Sequence, residues 1–189
     1  MNQPAKPLEP GDEWLAPLGP VVFTAEQLQT RIAELGEAIR RDYAGMDFMV
    51  VGVLRGVLFF MADLVRAIRA PLSMDFIAIS RYGPTAKTRG TVRLVKDLDE
   101  SIESMHVLFV EDIVDTGLTL GYLLRTMRAR NPASLRVCVL FDRPRRRLID
   151  AEIAYTGFEA PEHYIVGYGL DYGDRYRNLP YVAAFDPPR

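Results

Sequence analysis

A single cysteine, Cys138, stands in 189 residues. That excludes a disulfide scaffold and a cysteine-rich zinc site, and it fits a reducing compartment. Histidine is scarce too: His106 and His163 lie far apart with no ligand partners nearby, so a histidine-based catalytic or metal centre is not expected. No apolar run approaches the ~18 residues a membrane span needs. The N-terminal MNQPAKPLEPGDEW lacks the basic-then-apolar order of a secretory signal. Charge of one sign is missing as well. Lys plus Arg (23) against Asp plus Glu (25) gives −2, so no global positive field advertises nucleic acid or an anionic membrane. There are no internal repeats, and the GxxxxGK[ST] phosphate loop is absent. A cytoplasmic soluble protein is the expectation.

The chain has what an ordinary globule needs: 49% hydrophobic and 25% charged residues. At this mass roughly 70% of the open chain's surface is buried on folding. Residues 1–22 hold Pro4, Pro7, Pro10, Pro17 and Pro20 with little periodicity. They read as an extended arm anchored by Trp14, or as a disordered tail. Residues 23–189 form the domain proper. Thr24-Ala25-Glu26-Gln27 matches a capping box, and Leu28, Ile32, Leu35 and Ile39 recur at helical spacing up to Tyr43-Ala44-Gly45. Buried strands are expected at 48–54, 74–80, 91–95, 106–110, 135–141 and 164–166, and helices at 58–68 and 118–130. The glycine-rich YGPTAKTRG is the most loop-like stretch. Alternating buried strands and helices give an α/β fold: a mostly parallel sheet with helices on both faces.

In open parallel sheets, ligands bind beyond the carboxyl ends of the strands. Three such ends carry unusual residues: Leu54-Arg55-Gly56, Glu111-Asp112 and Phe141-Asp142-Arg143. The richest segment is VLFVEDIVDTGLTL, residues 107–120. Two carboxylates emerging from an apolar strand are costly unless they meet cations or hydroxyl donors. The loop that follows offers successive backbone N–H groups and two hydroxyls at a helix N-terminus, which is an anion cradle. Acid pair and cradle together suit a sugar phosphate with Mg²⁺. The plain alternative is a strand–turn–helix with Asp115 as N-cap.

VEDIVDTGLTL resembles the phosphoribosyl-pyrophosphate (PRPP) signature of type I phosphoribosyltransferases. FTAEQLQTRIAELGEAI, VGVLRGVLFFMADLVRAI, the SRYG element and YIVGYGLDYGDRYRNLPY are similar to the hypoxanthine-guanine subfamily. The resemblance covers roughly residues 22–185. It implies a type I phosphoribosyltransferase fold with a core over about 45–145 and a small hood built from the chain ends, including about 158–189. It also implies purine salvage: 5-phosphoribosyl passes from PRPP to N9 of hypoxanthine or guanine, giving IMP or GMP and pyrophosphate, with Mg²⁺. Carried over residue by residue, Glu111 and Asp112 hold the ribose hydroxyls and associated Mg²⁺. Asp115 is the proton partner of the purine, and Asp115, Thr116, Gly117, Leu118 and Thr119 form the 5′-phosphate loop. Arg55, Gly56 and Arg177 hold pyrophosphate, and Arg81 with Tyr82 belongs to a mobile lid. Arg143, Tyr164, Ile165 and Asp171 surround the purine, Asp171 also holding the second Mg²⁺. A homo-oligomer, dimer or tetramer, is implied as well.

Three positions depart from the family's pattern. Val57 stands where a smaller residue is usual, Arg81-Tyr82 replaces Ser-Tyr, and Arg143 replaces a lysine that donates to the purine O6. Arginine still donates, but with a planar fork. The arginines therefore keep open a second reading, a phosphoribosyltransferase with an unusual base such as xanthine or a modified purine. A third is a non-catalytic PRPP-sensing regulator, which predicts a basic face and a dispensable Asp115. In RPRRR, residues 143–147, only Arg143 is expected to face the site.

Overall fold

The computed structural model describes residues 13–15, 17–81 and 92–186. Six strands form the main sheet in the order β4-β3-β2-β5-β6-β7. They are β2 (Phe48–Leu54), β3 (Ser73–Arg81), β4 (Val92–Lys96), β5 (His106–Val114), β6 (Ser134–Asp142) and β7 (Tyr155–Glu159). All neighbours run parallel except β3 and β4. Three helices cover it: α1 (Ala25–Asp42), α2 (Leu58–Ile68) and α3 (Leu118–Arg128). A second sheet, the hood, joins β1 (Leu18–Phe23), β9 (Val182–Phe185) and β8 (Ile165–Val166) in that order, all antiparallel.

The two-residue period of the strands sorts the core into two layers. Val50, Leu108, Val110, Cys138 and Leu140 pack with α1 and α2 on one face. Val51, Val107, Phe109, Val137 and Val139 pack with Leu120, Leu123, Leu124 and Met127 of α3 on the other. The α1 start is the expected capping box: Gln27 N–H donates to Thr24 Oγ1 (3.2 Å) and Thr24 N–H to Gln27 Oε1 (2.8 Å). Leu28, Ile32, Leu35 and Ile39 are its buried stripe.

Where structure and sequence expectation differ, pairing is the cause. β1 begins inside the segment read as an arm, because its backbone pairs with β9 from the other chain end, with register shifts. β7 and β9 were not expected as strands at all. Trp14 does anchor its segment, stacking on Tyr176 at 5.9 Å between ring centroids. β5 continues four residues past Val110 because β6 stays paired with it, up to Val114 opposite Asp142. Its pairing with β2 stops at Gly52 opposite Val110. A gap therefore opens between β2 and β5, the point from which the chain proceeds outward in both directions along the sheet. Such a switch point is where α/β sheets bind ligands.

Candidate active site

A cleft of about 580 Å³ opens at this gap. Its walls come from the β2 end (Val53 to Gly56), the β5 end and following loop (Glu111 to Gly117, Thr119), Arg143 after β6, and the hood segment with Tyr164, Ile165, Asp171, Asp174 and Arg177. Thirteen of the residues singled out from sequence thus meet at one place. Leu118 does not line the cleft; it is the first residue of α3 and exposed. Arg81 ends β3, its side chain lies outside the described residues, and so does Tyr82.

Glu111 and Asp112 belong to β5, so as successive strand residues they leave opposite faces of the sheet. Both border the cleft because it straddles the sheet's end. Asp112 is packed against Gly56 so closely that any Cβ there would overlap its carboxylate. Gly169, at φ +99°, closes on Gly56 from the hood, where a Cβ would run into the Gly56 carbonyl oxygen. Glycine is therefore required at 56 for space and at 169 for both space and backbone. Burial pushes the Asp112 pKa up to about 6, although the Ile113 N–H donates to its Oδ1 and Arg177 opposes the shift. Val57 is fully buried behind the loop.

The cap of α3 is Gly117, not Asp115. Gly117 takes the left-handed conformation (φ 79°) and no side chain caps the helix. At the helix start the Leu118 N–H donates to Thr116 Oγ1 at 3.4 Å, and the first-turn amides have no intrahelical acceptor, as an anion site needs. Asp115 points instead toward two guanidinium groups: its Oδ2 lies 3.8 Å from Arg143 Nη1 and 3.6 Å from Arg146 Nη1. Arg143 is buried, its Nη2 donating to the His163 carbonyl at 2.8 Å. Burial draws its pKa below the ordinary arginine value while Asp115 pulls the other way. Two polar atoms of this pair, Arg143 Nε and Asp115 Oδ1, are buried without a hydrogen-bond partner.

Of RPRRR, Arg143 lines the cleft as expected, while Arg146 and Arg147 are not among its lining residues but support it. Arg146 is braced by Glu162, donating to its Oε2 (2.8 Å) and carbonyl (2.6 Å), and so reaches Asp115. Arg147 is mostly buried, paired with Asp142, and its Cδ would lie 2.8 Å from a Cβ at Gly117. Carboxylates at 115, 142 and 162 draw these side chains in, and their separation in sequence hid it. His163, unremarkable by sequence, acts through its main-chain carbonyl, which no side-chain pattern reveals.

Tyr164 is 44% exposed and lines the cleft, its hydroxyl donating to the Asp171 carbonyl at 2.9 Å. Its ring meets Tyr172 edge-on at 6.0 Å. Ile165 pairs with Ala184 in the hood. Arg177 is tied down by Gly169 O (Nη1, 2.7 Å) and pairs with Asp171 (2.7 Å) and Asp174 (3.0 Å). Asp174 also meets Arg55 at 3.1 Å, a contact that sequence reasoning did not foresee. Among the described residues no three His, Cys, Asp or Glu side chains gather to cage a metal. Separate carboxylates at 111, 112 and 171 still fit Mg²⁺, which is usually held by one or two carboxylates plus substrate phosphates.

A switch-point cleft with strand-end acids, an amide loop on a helix start and arginines in its walls is suited to a phosphorylated sugar, and the comparisons with known proteins give the class: phosphoribosyltransferases. The phosphoribosyl transferase domain family matches residues 23–173. The hypoxanthine-guanine phosphoribosyltransferase of Mycobacterium tuberculosis is 48% identical over 186 residues, covering 95% of this chain and 90% of the relative. That of Bacillus subtilis is 42% identical over 167 residues, covering 88% and 93%. Among solved structures, a hypoxanthine phosphoribosyltransferase from Staphylococcus aureus superposes with a TM-score of 0.88 at 40% identity, covering 95% of this chain and 97% of that one. The Bacillus anthracis hypoxanthine-guanine phosphoribosyltransferase gives 0.85 at 41%, covering 89% and 99%. The chain belongs to the phosphoribosyltransferase family, in its hypoxanthine-guanine branch. It is a transferase of pentosyl groups.

Proposed function

We propose that the protein transfers the 5-phosphoribosyl group of PRPP to N9 of hypoxanthine or guanine, giving IMP or GMP and pyrophosphate. The observation that carries this reading is the Arg143–Asp115 pair. It presents a buried donor, Arg143 Nε, beside a buried acceptor, Asp115 Oδ1, and neither has a protein partner. A 6-oxopurine offers the complement on one edge: O6 accepts and N7–H donates. Adenine would set an amino group against the arginine and leave a buried donor unmet, which a polar site rejects strongly.

Around that edge the remaining residues take roles consistent with their places. The Thr116–Thr119 loop and the α3 amides receive the 5′-phosphate, Glu111 and Asp112 accept from the ribose hydroxyls, and Tyr164 offers a ring face to the base. N9 attacks C1′ as the bond to the diphosphate oxygen breaks, and the proton at N7 passes to Asp115, a transfer worth about 10²–10⁴-fold when well placed. Mg²⁺, when bound through Asp171 and the Glu111–Asp112 end, supplies charge neutralisation for the departing diphosphate. Arg55 and Arg177 hold that diphosphate electrostatically. PRPP binds first, because its phosphates complete the floor on which the purine lies; tight purine binding without PRPP in a calorimeter would contradict that order. Homo-oligomers and a cytoplasmic setting belong to the same reading.

Incubation with PRPP, Mg²⁺ and each purine in turn tests the proposal. Nucleotide from hypoxanthine or guanine is expected, and none from any oxopurine overturns it. Arg143 in place of lysine favours one second reading, a preference for xanthine or a modified base, which the same panel would reveal.

A further inference from the structure

Arg55 and Arg177 come from different layers, one at the end of β2 and the other in the hood. Among the ion pairs of the described residues, one carboxylate meets both. Asp174 gives Oδ2 to Arg55 Nη1 (3.1 Å) and Oδ1 to Arg177 Nη2 (3.0 Å), one oxygen to each guanidinium. That is the arrangement an oxyanion lodged between the two arginines would adopt. Asp174 is itself held in place: its N–H donates to Asp171 Oδ2 at 2.8 Å, and its backbone is left-handed, at φ 63°. It sits in the wall of the cleft, and its side chain is 62% exposed against 74% for Arg55. Exposed pairs of this kind are weak and screened by water, so an incoming anion of higher charge displaces them.

We propose that Asp174 is a positioning residue that stands in for the diphosphate. It holds Arg55 and Arg177 facing one another while the cleft is free of anion, and it must give them up when diphosphate binds. The inference rests on the reading of this site as a PRPP site. It has a consequence opposite to that of an ordinary binding residue: the Asp174 carboxylate competes with the ligand, loosening the grip on diphosphate and easing its release as product. Two alternatives for the same side chain predict otherwise. A metal-holding Asp174 would strengthen diphosphate binding, and a merely structural one would leave it unchanged.

Calorimetric titration of inorganic pyrophosphate with Mg²⁺ into the wild-type protein, Asp174→Asn and Asp174→Glu separates these. Asparagine tolerates the left-handed backbone, so the first variant keeps the local fold. Breaking two exposed pairs should tighten pyrophosphate binding about two- to tenfold. Asp174→Glu should restore most of the wild-type affinity, and Asp174→Ser should behave as asparagine does. In turnover, Asp174→Asn should lower KM for PRPP and kcat together, as slower product release requires. Unchanged or weaker pyrophosphate binding by Asp174→Asn, beside a wild type that binds, overturns the role of Asp174 alone. A wild-type protein that binds neither pyrophosphate nor PRPP overturns the PRPP reading and this inference with it.

Discussion

Replacing Asp112 by asparagine should make the unliganded protein more stable and a poorer enzyme. The carboxyl is pressed against the Gly56 backbone, and burial raises its pKa from 3.8 to about 6. A rise of about two units corresponds to roughly 3 kcal/mol between protonation states. The sign follows from proton binding. Between about pH 4 and 6 the folded protein keeps a proton that the unfolded chain has already lost, so stability falls as pH rises through that window. Above it the whole penalty remains. Asparagine keeps the shape, and its carbonyl can still accept from the Ile113 N–H that now meets Asp112 Oδ1 at 2.7 Å. For a chain of this length each kcal/mol moves Tm by about 2–4 °C, so a gain of roughly 6–12 °C is expected near pH 7.

The assay is thermal unfolding of both proteins from pH 4 to 8 with chelator and no ligand. The gap between the curves should be small at pH 4 and full by pH 7. A variant that is no more stable at pH 7, or a gap that does not grow with pH, would refute the assignment of a buried, destabilising charge. PRPP affinity should move the other way, falling about 10- to 100-fold if a charged hydrogen bond to the ribose is lost. Stability surrendered at a site residue and recovered when substrate binds is a common trade.

Asp115→Asn should lower kcat by about 10²–10⁴ with little change in KM for PRPP, since it removes the proton acceptor and leaves the amide loop; near-normal turnover would remove Asp115 from that role. Arg143→Lys should retain or improve use of hypoxanthine and guanine, whereas Arg143→Met, which leaves the His163 carbonyl without its donor and Asp115 with Arg146 alone, should raise the base KM about 10- to 100-fold. Complete loss in the lysine variant would break the analogy on which the purine pocket rests. Gly157→Ala should cost about 1–3 kcal/mol, seen as a lower urea midpoint, because its Cβ would overlap the Leu140 carbonyl of the neighbouring strand.

The elements that sequence reveals here are those whose signals are local. Thr24 and Gln27 are three residues apart and cap α1 as their spacing demands. The 58–68 helix and the 48–54 strand are uninterrupted apolar patterns, and both stand at the expected bounds. The hood is different. β1 carries Gly19 and Pro20, which disguise it, and it survives as an edge strand only because β9, from the other end of the chain, supplies its partner. β9 has four residues, too few for a period to register, whereas β8, Ile165–Val166, falls within the strand expected at 164–166. The cleft divides along the same line. Glu111 to Thr119 is one continuous motif and legible, while the contacts of Asp174 with Arg55 and of Arg146 with Asp115 join segments 119 and 31 residues apart.

That division has a physical reason reaching beyond this chain's particular motifs. A strand end can offer a carboxylate and a helix start can offer amides without help from the rest of the molecule. Orientation of a long guanidinium cannot be set locally, because arginine has many rotamers and loses them only where several partners converge. Three arginines in or beside this cleft are held by such convergence: Arg143 by the His163 carbonyl and Asp115, Arg146 by Glu162 and Asp115, Arg177 by Gly169, Asp171 and Asp174. The carboxylates and carbonyls that do the holding come largely from the hood. The smaller sheet is thus more than a cover for the base: by fixing Arg177 and bracing Arg143 and Arg146, it decides where positive charge stands when an anionic substrate arrives.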